Sequence, residues 1–231
     1  MNKSIAASAW SGMIAMMFMF GAIISWQIFP PPSPSLPMAE WAAHFTENRT
    51  GVFVGSVLMC IGSSLFFPFF GGFYGCLKVA EGKHTPLTYG MMMIVPFGFL
   101  PLFLVMICFV TAAYRPEMST EMTAALADAG MFLLVIPGFI GLVQWVVTGI
   151  IILRDVNPQP IFPRWLGYAN IWVGILAAPG SFIPFFKTGP FAWNGVFAFW
   201  VPVFTFGMLL TAVLWAMLRA AKHPAMQQDQ S

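Results

Sequence analysis

Five uncharged polar side chains stand where the surrounding sequence is almost wholly apolar: Ser11, Gln144, Thr148, Asn170 and Thr211. Each carries both a donor and an acceptor, so the chemistry open to them is hydrogen bonding inside an apolar environment. Two outcomes follow from that. Amides and hydroxyls bond across neighbouring membrane helices and hold them together, or they form the polar end of a pocket for a small, mostly apolar molecule. At about 1.5 Å rise per residue, Gln144 and Asn170 lie roughly 13 Å and 8 Å from the nearer ends of their apolar runs, with Thr211 and Ser11 at similar depth. One polar cluster in the cytoplasmic half of a helical bundle is expected, with Gln144 and Asn170 at its centre.

Other chemistry is excluded by what the chain lacks. No Asp, Glu, Lys or Arg falls well inside an apolar run, which argues against an ion-coupled transporter, a proton pump or a voltage sensor. No mid-run lysine is placed to hold a retinal-type Schiff base. The three histidines, His44, His84 and His223, are isolated. They supply neither the ligand cluster of a di-iron or zinc site nor a pair for a haem. Ser63 and Ser64 have no base beside them. Cys60, Cys76 and Cys108 lie within apolar runs and read as packing residues. No catalytic residue, metal or cofactor is expected, and no basic block suggests nucleic acid.

The elements that must position the polar residues follow from composition. Of 231 residues, 59% are hydrophobic and 8% charged, against about 25% charged in a soluble domain. The chain is expected to be a single transmembrane domain, an all-α bundle of six membrane-spanning helices. Their bounds are about Ile5–Phe29, Gly51–Leu77, Tyr89–Ala113, Asp128–Leu153, Trp165–Phe186 and Val196–Leu218. The first run is too long for a signal-peptide core and lacks a small-x-small site before Pro30, so it is expected to be retained. Ser119 or Thr120 offers an early cap to the fourth helix. Between the first two spans, Met38, Trp41, Ala42 and Phe45 share one face, with Glu40, His44 and Glu47 off it. This predicts a short amphipathic helix lying in the periplasmic membrane interface.

Charge orients the bundle. Lys3, Lys78, Lys83, Arg154, Arg164, Arg219 and Lys222 fall on one side, with the tail around Gln228, and only Arg49, Arg115 and Lys187 on the other. The positive-inside rule then places both termini in the cytoplasm. Prolines fall inside five of the six spans (Pro68, Pro96 with Pro101, Pro137, Pro179 with Pro184, and Pro202), and kinks there open space between helices. Stripes of small or weakly polar residues mark close packing: Ser8, Ser11, Gly12 and Ala15; Pro137, Gly141, Gln144 and Thr148; Gly167, Asn170, Gly174, Ala177 and Ser181. Gly51 with Gly55 and Gly71 with Gly75 have the spacing of helix-packing glycines. No internal three-plus-three repeat is evident.

Phe162-Pro163-Arg164-Trp165 and Gly189-Pro190-Phe191-Ala192-Trp193 read as anchors at the two membrane surfaces. With the six-helix layout, they resemble a group of uncharacterised bacterial multi-pass membrane proteins, and the resemblance implies a bacterial inner-membrane location. The expected function is binding or carriage of a small apolar molecule within a proline-kinked bundle. The alternative is a non-catalytic accessory subunit that packs against a membrane-protein partner or a second copy of the chain.

Overall fold

A computed structural model describes residues 1–227; Gln228, expected in the tail on the more basic side, lies outside the described residues. The fold is 78% helix, with six helices long and apolar enough to cross a membrane. Helix α1 spans Lys3–Ser25, α2 Met38–Glu47, α3 Arg49–Glu81 and α4 Pro86–Tyr114. The fourth crossing is split into α5 (Thr120–Val135) and α6 (Gly138–Leu153). The fifth is α7 (Arg164–Ala177) continued by a 3-10 segment, Ala178–Phe185. The sixth begins with a π turn, Val196–Trp200, and runs on as α8, Val201–Ala220.

Successive crossings pack side by side, and α8 returns to α1, so the six close a ring. Contacts between loops show which ends belong together. The Asn2 amide donates to the Ala221 carbonyl at 2.7 Å, and the Asn157 side-chain amide donates to the Val79 carbonyl at 3.2 Å. The His223 ring lies 3.1 Å from the Gln159 carbonyl, so one end of the bundle gathers Asn2, the stretch after α8 and the loops after α3 and α6. At the other end, the Ser35 hydroxyl donates to the Lys187 carbonyl at 3.0 Å and the Trp193 indole to the Pro32 carbonyl at 2.8 Å. The seven-to-three division of cations read from the sequence is thus a division between two physical ends.

Local sequence explains several boundaries. The Asn2 side chain caps α1 by accepting from the amides of Ser4 and Ile5. Ser119, the earlier of the two expected caps, starts α5 by accepting from the Met122 amide. Helix α1 stops at Ser25, short of the expected Phe29. Gln27 adopts a left-handed φ of 56°. The Gln27 and Ile28 amides then turn back to the carbonyls of Ile24 and Ile23, the pattern that closes a helix C-terminus. The gain offsetting the left-handed residue is burial: Trp26 and Ile28 are both fully enclosed, and the Trp26 indole donates to the Val52 carbonyl at 3.1 Å.

The prolines act unequally. Pro68, Pro96 and Pro101 are carried inside continuous helices, whereas Pro137 separates α5 from α6 and Pro179 and Pro184 lie in the 3-10 segment. The small stripe of α1 is its seam with α3. A side chain at Gly12 would strike the Phe69 ring, and one at Gly62 would strike the Ala15 carbonyl. Gly51 and Gly55 lie in the same seam, against Ser25 and Trp26, while Gly71 and Gly75 face open space.

Helix α2 forms where expected, but its apolar face is turned onto the protein. Trp41, Ala42 and Phe45 are buried while Glu40 and Glu47 stay exposed, as does Met38 of the expected apolar face. The Trp41 indole donates to Asp128 Oδ1 at 2.9 Å, and the Phe45 ring packs 5.0 Å from that of Phe109. The same holds for two of the anchor residues, since Phe162 and Trp193 are buried, whereas Trp165 stays exposed.

Candidate functional site

The bundle has two hydrophobic cores, one toward each end. Phe66, Phe70 and Phe99 belong to the core at the end that holds Asn2 and Ala221, and Trp26, Phe45 and Phe109 to the other. Between them lies a cavity of about 290 Å³ to which all six crossings contribute, through Met19, Phe66, Pro101, Gln144, Ala177 and Phe199. Pro137 and Pro202 also line it. Where Pro137 interrupts the fourth crossing and a π turn precedes Pro202, the backbones cannot run as uniform parallel rods, and the space between them stays unfilled.

Gln144 is the principal polar side chain of this cavity, and it is 5% exposed. Its Nε2 donates to the Tyr74 hydroxyl at 3.2 Å, and that ring stacks on Phe70, a cavity wall, at 5.8 Å. The carbonyl Oε1 lies toward Gly98, 3.8 Å from where a Cβ on that glycine would stand, and Gly98 also lines the cavity. Gln144 therefore spends a donor on Tyr74 and keeps an acceptor at the cavity wall.

Further acceptors come from the backbone at the break. Pro137 has no N–H to offer the Leu133 carbonyl. The Gly138 amide is diverted to the Ile136 carbonyl, and the Phe139 amide to Ser181 Oγ at 3.0 Å. The carbonyls of Leu133, Leu134 and Val135 thus lose their regular helical donors, and all three residues line the cavity. Ser181 closes the break from the facing 3-10 segment, since its hydroxyl also donates to the Ile136 carbonyl at 2.8 Å. Its place in the small stripe of the fifth crossing gave it a packing role in the sequence; its bridging role depends on the break opposite.

A second space of about 440 Å³ adjoins the same break on the outer face of the bundle, bounded by Phe132, Ile136, Phe139 and Ser181. Pro101, Leu133, Pro137 and Ile140 line both it and the central cavity. These four residues are the partition between the bundle interior and its outer surface.

The five polar residues expected to form one cluster occupy different places. Gln144 faces the central cavity. Thr148 and Asn170 are fully buried on α6 and α7, which meet closely where Gly149 abuts the Gly167 carbonyl. The Asn170 amide nitrogen donates to the Leu166 carbonyl at 2.7 Å, while Asn170 Oδ1 and Thr148 Oγ1 have no partner. Ser11 donates to the Ser8 carbonyl of its own helix at 2.7 Å. Thr211 is exposed on the outside of α8 and donates to the Gly207 carbonyl at 2.9 Å. The polar partner of Gln144 is instead Tyr74, a residue hidden in the sequence within Gly71-Gly72-Phe73-Tyr74-Gly75 and read there as part of a packing motif.

Among the described residues, no three His, Cys, Asp or Glu side chains come close enough to share a metal ion. No protein-family model, curated protein or solved structure matches the chain.

Proposed function

We propose that this chain is a multi-pass protein of a bacterial inner membrane, with both termini in the cytoplasm, that holds a small apolar molecule in its central cavity. The observation that carries the proposal is the meeting of all six crossings around one apolar space whose main polar side chain is Gln144. The volume, about 290 Å³, falls just below the range of drug-sized ligand pockets, about 300–1,000 Å³, which suits a small molecule. The polar groups of the residues that line it include the acceptors Gln144 Oε1 and the carbonyls of Leu133 and Leu134, which lack their helical donors, and one donor, the Trp145 indole. The acceptors suit an apolar molecule that carries one O–H or N–H donor. A molecule dissolved in the bilayer would enter sideways at Pro137, where the partition is thin and the helix already broken.

Photolabelling tests this reading. An aliphatic alcohol bearing a diazirine, added to the protein in lipid nanodiscs, should label the cavity-wall segments 140–145 and 199–206, and unlabelled long-chain alcohol should compete. Labelling confined to outward residues such as Met93 and Met208 would reject the proposal.

The accessory-subunit reading has one observation in its favour. Gly71 and Gly75 of α3 present a small-residue surface that meets nothing within 4 Å, in the spacing that lets a second membrane helix approach.

A further inference from the structure

A groove of about 700 Å³ runs along the outside of the bundle between α1 and α8. On α8 it extends from Val203 to Trp215, facing Met16 and Phe20 of α1. Those residues of α8 span roughly 18 Å at 1.5 Å per residue, close to one leaflet of a hydrocarbon core about 30 Å thick. The floor is open because Gly207 has no side chain. It is apolar because the Thr211 hydroxyl is turned back onto the Gly207 carbonyl.

One end of this groove is strongly cationic. The exposed rings of Trp165 and Trp215 lie 6.1 Å apart there, and the Arg219 guanidinium sits 5.8 Å from the Trp215 ring centroid. Arg164 directly precedes Trp165, and the Asn2–Ala221 hydrogen bond at 2.7 Å brings Lys3 near Lys222. Among the described residues, Glu81 and Asp155 are the carboxylates at this end, and both are engaged in their own loops. Glu81 accepts from the amides of Leu87 and Thr88, and Asp155 from those of Asn157 and Ile161. The groove reaches on to Phe29 toward the other end, but its stretch from Val203 to Trp215, with tryptophans at its foot and cations beyond them, matches the layout of a phospholipid: acyl chain, glycerol level, phosphate.

We infer that this groove binds one anionic phospholipid, with an acyl chain between α1 and α8 and the phosphate held by Arg164 and Arg219. The inference does not depend on the central cavity holding anything. Juxtamembrane cations attract anionic lipid by roughly fivefold each, so the two arginines set a preference of about 25-fold over a zwitterionic lipid with the same chains.

Native mass spectrometry of purified protein, titrated with phosphatidylglycerol or phosphatidylcholine of identical chains, tests this. Wild type should retain one phosphatidylglycerol with the stated preference. Arg164→Gln with Arg219→Gln, both at exposed positions, should lower the preference about 25-fold, leaving only what Lys3 and Lys222 contribute. Gly207→Phe, which fills open space, should lower retention of both at least tenfold. Glycerol 3-phosphate should not compete. Equal retention of both lipids by wild type would overturn the inference. So would a preference left unchanged by loss of both arginines, or full retention in Gly207→Phe. Displacement by glycerol 3-phosphate alone would mean a free-phosphate site, and a Met208→Cys disulfide dimer that excludes lipid would mean a second copy occupies the groove. Either would overturn it.

Discussion

Gln144 of α6 donates its side-chain amide to the Tyr74 hydroxyl of α3 at 3.2 Å, across the ring of crossings and not along it. The bond fixes which way the amide faces, with nitrogen toward Tyr74 and oxygen at the cavity. Interhelical hydrogen bonds in membranes average about 0.6 kcal/mol and reach about 1.7. Gln144→Leu and Tyr74→Phe are both expected to cost stability on that scale, measured by thermal unfolding in detergent. They should differ in ligand retention, which Tyr74→Phe keeps because Oε1 remains. Equal loss of ligand in both variants would show that Oε1 is not the group that matters.

Ser181 is expected to govern the break at Pro137. It accepts from the Phe139 amide and donates to the Ile136 carbonyl, so Ser181→Ala leaves a backbone donor without a partner. Such orphaned groups cost about 1–3 kcal/mol. Faster hydrogen exchange at Phe139 in Ser181→Ala, with exchange unchanged in α3, is the expected signature. Unchanged exchange at Phe139 would mean the break is held by other contacts.

The glycines of α3 should separate into two classes. At Gly55 a Cβ would collide with the Trp26 ring and the Ala22 carbonyl, and overpacking of that kind costs about 1–3 kcal/mol. At Gly75 nothing is within 4 Å, so Gly75→Ala should stay within about 0.5 kcal/mol. Melting temperatures of the two variants check this. Release of a co-purifying partner by the bulkier Gly75→Leu, with normal melting, would favour the accessory-subunit reading.

Trp41 should report a protein environment. It is 5% exposed and bonded to Asp128, so in a variant keeping no other tryptophan its emission should be blue-shifted and resist shallow lipid-borne quenchers. Strong quenching would restore the lipid-facing position that the amphipathic pattern predicts for it.

Orientation is open to cysteine labelling in a background without native cysteines. Ser35→Cys and Thr120→Cys should react with an impermeant reagent from outside intact cells, and Lys83→Cys should not. Lys83 is the better inner position because Gly82, beside it, has a φ of +95° that disfavours any side chain. Reaction at Lys83→Cys from outside would invert the proposed topology.

The number of crossings was legible because each apolar run is long and bounded by charge or proline, and the cation division followed from the same boundaries. The end of α1 was not legible. No glycine or proline lies between Gly21 and Pro30, and the left-handed turn falls on Gln27, where only the burial of Trp26 and Ile28 makes it favourable. The amphipathic pattern of α2 located a helix but not what its apolar face meets, since protein and lipid select the same side chains. For the polar residues, distance from a helix end could be computed from helical rise. Facing could not, because it depends on neighbours. Thr211 and Ser11, expected at the depth of Gln144, turn to the outer surface of α8 and to the backbone of α1, and Tyr74 emerged as the partner of Gln144 only once α3 and α6 were seen to meet.

The central claim is that the cavity beside Gln144 holds an apolar molecule with a hydrogen-bond donor, and mass spectrometry of organic extracts tests it most directly. Wild-type protein and Gln144→Leu, purified into identical nanodiscs, are extracted and compared. The expected result is a small apolar molecule, near one per protein, present with wild type and absent from the variant, which otherwise folds normally. Extracts that contain only bulk lipids, the same in both proteins, would contradict the claim.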